Sequence, residues 1–162
     1  MATQPVRPHR STTREGSPMS NKPFCPEQYD ADDNCKHDVI RFLEAQTWAR
    51  FDLVVNRDKY GIDLVGECNG HQCGVEVEIK HAWSGEHFPF DDVHIAARKV
   101  KFIECKPIVW YVIVNAERTH ALVFTPSRKS INEIMMVRKP TVHTTSEWFM
   151  QVPLDEFDWY AL

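Results

Sequence analysis

No stretch of this chain reaches 18 consecutive apolar residues, so nothing in it reads as a membrane-spanning helix. The N-terminus also lacks the charged-then-apolar pattern of a secretory signal. These two absences point to a soluble, cytoplasmic protein, and in that setting its five cysteines read as free thiols. A CxxC pair is missing too. Cys68, His71 and Cys73 lie close together in sequence and could join Cys25 or Cys35 around zinc. The spacing argues against it, and alternation is read as placing Cys68 and Cys73 on opposite faces. There is no internal repeat. An excess of basic residues is likewise absent: 19 Lys and Arg stand against 23 Asp and Glu, a net charge of −4. Residues 1–22 hold four of the basic groups and one acid, so the remainder is more acidic still. DNA-binding modules are usually basic where they meet the backbone, so a nucleic-acid partner would be gripped loosely and in a salt-sensitive way.

What is present fits one domain. A chain of 162 residues, 43% of them hydrophobic, can bury a single core, and the sequence divides into an arm over 1–22 and a domain over 23–162. The arm is rich in Pro, Ser, Thr and Arg, a composition that predicts disorder. Its prolines argue against the amphipathic helix of a transit peptide.

The informative stretch is Tyr60 to Trp83, YGIDLVGECNGHQCGVEVEIKHAW. Asn69-Gly70 is the dipeptide that a two-residue type I′ turn demands, since both central residues need positive φ. Counting outward puts Cys68 opposite His71 and Asp63 opposite Glu76, with Glu78 on the diagonal. By alternation Glu76, Glu78 and Lys80 share a face with Asp63, and Val75, Val77 and Ile79 share the other with Ile62 and Leu64. Three carboxylates in a small area repel unless a cation or raised pKa values relieve them. A divalent metal is the simplest relief, and an all-oxygen donor set suits Mg²⁺ or Mn²⁺. Lys80 beside such a site could hold an attacking water or stabilise charge developing on a phosphate.

These residues resemble the PD-(D/E)XK nuclease superfamily, which includes restriction enzymes, Holliday-junction resolvases and phage or repair nucleases. The resemblance runs from about Lys36 to Phe124 and rests on Gly61-Ile62-Asp63-Leu64, the hairpin, then Glu78-Ile79-Lys80, with Ile62 where the motif has proline. It implies an α/β fold with a restriction-endonuclease-like core, a mixed central sheet flanked by helices. It further implies a DNA substrate, Asp63 and Glu78 as metal ligands and Lys80 as the catalytic lysine. The activity expected is a metal-dependent endodeoxyribonuclease in which an activated water hydrolyses the phosphodiester.

Around this core the pattern predicts a helix capped at Asp32, Asp33 or Asn34 and running to about Trp48, with Val39, Phe42, Leu43 and Gln46 inward. Strands are expected over 51–55, 61–68 and 71–83, then a helix from Asp91 or Asp92 to about Glu104. Ile108 to Asn115 reads as a strand buried on both faces, His120 to Phe124 as another, and Ser127 to Met135 as a short helix. The aromatic tail should add a last strand or two, and from Trp148 to Tyr160 it offers an apolar contact for a homodimer. Glu44, at the edge of the first helix's stripe, is either a further metal ligand or solvated surface. Glu76 is either a metal-site carboxylate or a rim residue. His94, Arg98 and Lys101 recur at helical spacing as a stripe that either meets phosphates or faces solvent, with Arg98 and Lys99 the preferred nucleic-acid contacts. His81 and His87 are either substrate contacts or surface groups. Rival readings are a non-catalytic module on the same fold that binds nucleic acid or protein, a zinc or redox protein, and an interaction domain with an acidic face.

Overall fold

The computed structural model of the chain describes residues 26–126, 133–141 and 146–162. The arm and Cys25 lie outside the described residues, as does most of the helix expected over 127–135. Helix α1 (Pro26–Glu44) starts well before the expected cap, at a proline whose missing N–H is no loss in a first turn. Its buried stripe is Cys35, Val39, Phe42 and Leu43. Gln46 falls beyond the helix end, where its Nε2 donates to the Phe42 carbonyl.

Strands β1 (Phe51–Val55), β2 (Leu64–Cys68) and β3 (His71–Lys80) form an antiparallel meander. Asn69 and Gly70 have φ of 52° and 80°, the two positive values a type I′ turn requires, and Cys68 pairs with His71 as counted. Gly66 is fixed by proximity: a Cβ there would stand 1.9 Å from the Asp52 carbonyl oxygen of β1. After β3 the chain crosses over through β4 (Asp92–Ala96), a 3-10 turn (Ala97–Lys99) and α2 (Val100–Cys105). It returns as β5 (Ile108–Asn115), parallel to β3 from Cys73↔Ile108 to Lys80↔Asn115. β6 (His120–Phe124) and, later, β9 (Asp158–Ala161) extend the sheet, whose order is β1-β2-β3-β5-β6-β9. β7 (Met135–Lys139) and β8 (Glu147–Pro153) join β4 in a second sheet of order β4-β8-β7.

The protein is therefore α/β with a mixed six-stranded sheet, the second sheet and the short α2 covering one face and α1 the other. Leu64, Val75, Val112 and Val114 pack with α1 on that face. On the other, Tyr111, Ile113, Leu122 and Phe124 pack with Val93 and Ile95 of β4 and Met150 and Val152 of β8. No helix among the described residues is long and apolar enough to cross a membrane.

Several expectations are corrected. The helix over 91–104 is a strand followed by a short helix. Val93, Ala97 and Val100 satisfy a helical period, but Val93 and Ile95 equally satisfy a strand, and β8, distant in sequence, supplies the partner that decides it. His94, Arg98 and Lys101 thus belong to three successive elements and form no helical stripe. Ile62 lies in the second core rather than beside Leu64, because β2 and β3 stop pairing at Leu64↔Val75 and the preceding residues leave the ladder. Cys68 and Cys73 share a face, both buried under α1. A two-residue turn makes Cys68 the partner of His71, which has the same parity as Cys73. Met135 begins a strand, not the end of a helix.

Candidate metal and nucleic-acid site

The site arises where β2 leaves β3. By alternation the ladder would give the Val77 amide to the Ile62 carbonyl. Instead Val77 N–H donates to Asp63 Oδ2 at 3.0 Å, and the Ile62 carbonyl accepts from Asn56 Nδ2 at 2.9 Å. A carboxylate replaces a strand neighbour, and β3 continues unpaired on that side from Glu76 to Lys80. The opening becomes a cavity of about 460 Å³ walled by Asp32, Cys35 and Lys36 of α1, by Asp63 and Glu78, and by Lys99.

Three carboxylates meet three lysines here. Asp63 Oδ1 lies 3.3 Å from Lys36 Nζ. Glu76, only 7% exposed, places Oε1 2.8 Å from Lys99 Nζ and leaves Oε2 buried without a hydrogen-bond partner. Glu78 bridges two lysines, with Oε1 2.6 Å from Lys80 and Oε2 3.6 Å from Lys99. Lys80 also donates to the His94 carbonyl at 3.2 Å. Burial pushes the Glu76 carboxyl up, and Asp63 adds to this against the pull of Lys99. Burial works to lower the pKa of Lys99, but Glu78 and Glu76 outweigh it and hold the ammonium above its ordinary value. Lys36 behaves alike, with Asp63 overriding burial. All three groups hold their protons more tightly than usual, Glu76 through burial and the two lysines through the carboxylates beside them.

The expected residues are only partly brought together. Asp63 and Glu78 line the cavity together, Glu76 is joined to Glu78 through Lys99, and Lys80 is paired with Glu78. Glu44 stands apart: it lies eight residues beyond Lys36, roughly 12 Å along the helix, and its carboxylate accepts the Leu53 N–H of β1 at 3.3 Å. Arg98 reaches the rim and pairs with Glu147. Lys99 is committed to the carboxylates rather than standing free as a phosphate contact. Lys101 is exposed, with Nζ over the Phe102 ring. His94 packs in the second sheet, its Nε2 2.9 Å from Lys139 Nζ and 3.2 Å from Asp92 Oδ1. His81 borders the cavity, whereas His87 is exposed elsewhere.

Sequence reasoning missed Lys36, Asp32 and the pairing of Lys99. The signal for Lys36 was its position one turn before Val39 on the expected helix, whose packing against Asp63 the sequence did not show. Among the described residues no three His, Cys, Asp or Glu side chains already converge as a metal cage. The donors nonetheless fit a hard divalent cation: Asp63 and Glu78 offer carboxylate oxygens to the cavity, and Glu76 adds a buried, unpartnered one behind them. Compared with family models, curated proteins and solved structures, the chain matches none of them.

Proposed function

We propose that the protein is a divalent-metal-dependent endonuclease that hydrolyses phosphodiester bonds of DNA. The observation that carries this is that Asp63 and Glu78 share the cavity where β2 and β3 part, with Glu76 buried behind them and Lys80 paired to Glu78. A mixed central sheet with α1 packed on one face is also what the nuclease resemblance implies, and it supports the same reading.

Asp63 and Glu78, backed by Glu76, would hold Mg²⁺ or Mn²⁺, which supplies a Lewis acid and an acidified water at neutral pH. Lys80, anchored on the His94 carbonyl, sets its ammonium beside Glu78, where it can stabilise charge growing on a phosphate oxygen. Lys99 holds Glu76 and Glu78 in place. The Val77 amide fixes one oxygen of Asp63, so the other faces Lys36 at the cavity wall.

A second reading rests on a specific observation: Lys36, Lys99 and Lys80 already balance the three carboxylates, as suits a non-catalytic binding module on the same fold. Cleavage of labelled single-stranded, duplex and four-way-junction DNA, with Mg²⁺, Mn²⁺ or EDTA, separates the two. The nuclease reading expects metal-dependent cutting that falls at least a hundred-fold, on the order seen when a key charged group is removed, in Asp63→Ala and Lys80→Ala. DNA binding without cutting under every metal condition would favour the module.

A further inference from the structure

Lys80 opens not into the carboxylate cavity but into a second cavity of about 470 Å³ on the other side of Glu78. Its walls come from the β3 to β5 crossover and from the second sheet. The crossover contributes Phe88 and Phe90, and the second sheet contributes His94 and Lys139. Phe90 is 51% exposed, yet it is held: its ring meets Phe88 edge-on at 5.5 Å, and Phe88 meets the fully buried Trp83 edge-on at 5.3 Å. An exposed phenyl fixed through a neighbour to a buried indole is a rigid platform, and little entropy is lost when something stacks on it. The same cavity is lined by two ammonium groups, Lys80 and Lys139. Of the two acids at this cavity, Asp92 is already engaged with His94 and with Gln151 Nε2, which leaves Asp91 at the lip.

A flat apolar surface sharing a cavity with cations, within reach of a phosphate-cleaving centre, has the chemistry of a nucleotide subsite. A base inside continuous duplex cannot reach the phenyl face, since its own faces are covered by its neighbours; an unpaired base can.

We infer that this cavity receives an unpaired nucleotide of the substrate strand, its base stacked on Phe90 and its phosphate between Lys80 and Lys139, so that the enzyme acts on single-stranded or locally unpaired DNA. This rests on the nuclease reading and adds the substrate class to it. Phe90 and Lys139 are specificity-determining residues in this scheme and line the second cavity rather than the carboxylate one. Aromatic–base stacking of this kind is worth on the order of ten-fold in affinity per base, and each phosphate contact adds about one unit to the salt slope.

The test is fluorescence anisotropy in EDTA with three labelled probes: an oligo-dT single strand, the same strand with one abasic residue, and a blunt duplex. Cleavage of the same probes is followed in Mg²⁺. The wild type is expected to prefer the single strand. Phe90→Ala should weaken that binding about ten-fold and shrink the penalty of moving the abasic residue along the strand. Lys139→Met should lower the salt slope by about one while retaining the stacking preference. Equal affinity for duplex and single strand, or unchanged single-strand binding in both variants, overturns the inference even if the protein cuts. Selective single-strand binding that depends on Phe90, without cutting, upholds the cavity assignment and removes the nuclease reading instead. Wild type that binds none of the probes overturns both. Phe90 and Lys139 are exposed, so folding of the variants, checked by circular dichroism, should be intact.

Discussion

Glu76 and Lys99 form the least exposed ion pair of the site, with side chains 9% and 14% exposed. Removing one partner of such a pair strands the other charge, whereas replacing both with apolar groups does not. Lys99→Met should therefore cost about 3 kcal/mol in urea unfolding, and Glu76→Leu/Lys99→Met should recover most of it. A double variant as unstable as the single one would mean the pair is not the source. His94 gives a second test. Burial, then Lys139, lower its pKa from the ordinary 6.5, with Asp92 opposing and Lys80 adding to the effect. A base weaker in the folded chain than in the unfolded one makes the unfolded state the better proton binder. Its contribution to stability is thus whole above 6.5 and is lost as the pH falls through the lowered folded value. His94→Gln should flatten the loss of urea stability between about pH 7 and about pH 5, and an unchanged slope would assign that loss to other groups. At this scale Asp63, Glu76, Glu78 and Lys80 were legible in the sequence, because strand alternation and a two-residue turn fix neighbours within 20 residues. Lys36 and the pairing of Lys99 with the carboxylates were not, since helix packing and a crossover bring them in.

Among the elements, the hairpin was readable because its turn chemistry and its alternation agree. The crossover was not, because Asp92 to Glu104 carries two periods at once and only a strand from the far end of the chain chooses between them. The departure of Ile62 from the ladder has its own consequence. A Cβ on Gly74 would stand 2.6 Å from Ile62 Cδ1, a side-chain tip, whereas one on Gly66 would meet the Asp52 backbone at 1.9 Å. Gly74→Ala should cost about 1 kcal/mol, and Ile62→Val, which lacks Cδ1, should relieve it in the double variant. Gly66→Ala has no such relief and should cost more, because β1 itself must move off β2. Urea midpoints for the four variants check this; equal costs for the two glycines would contradict the distinction.

The whole molecule is two sheets joined by the chain that carries Lys80, His94 and Lys99, so a ligand at the carboxylates is felt by both cores. Mg²⁺ or Mn²⁺ that binds only the folded chain should raise its melting temperature. At a hundred-fold excess over Kd the gain is about 2.7 kcal/mol, and Glu78→Gln should erase it. A melting curve indifferent to either ion would weigh against a metal centre. The α/β class and a mixed sheet were expected from the resemblance, but the second sheet was not, since its β4–β8 pairing joins residues more than 50 apart in the chain. The outer edge of the large sheet has a further meaning. β1 offers a row of unpaired amides and carbonyls, and the Leu53 amide in that row is already taken by Glu44. A strand edge is a template on which a second chain can add and a fibril can start, and a carboxylate laid across it both occupies a donor and repels the newcomer. Glu44 thus bears on solubility: Glu44→Ala should leave cleavage intact yet scatter more light on concentration and storage, a liability of shelf life rather than of chemistry.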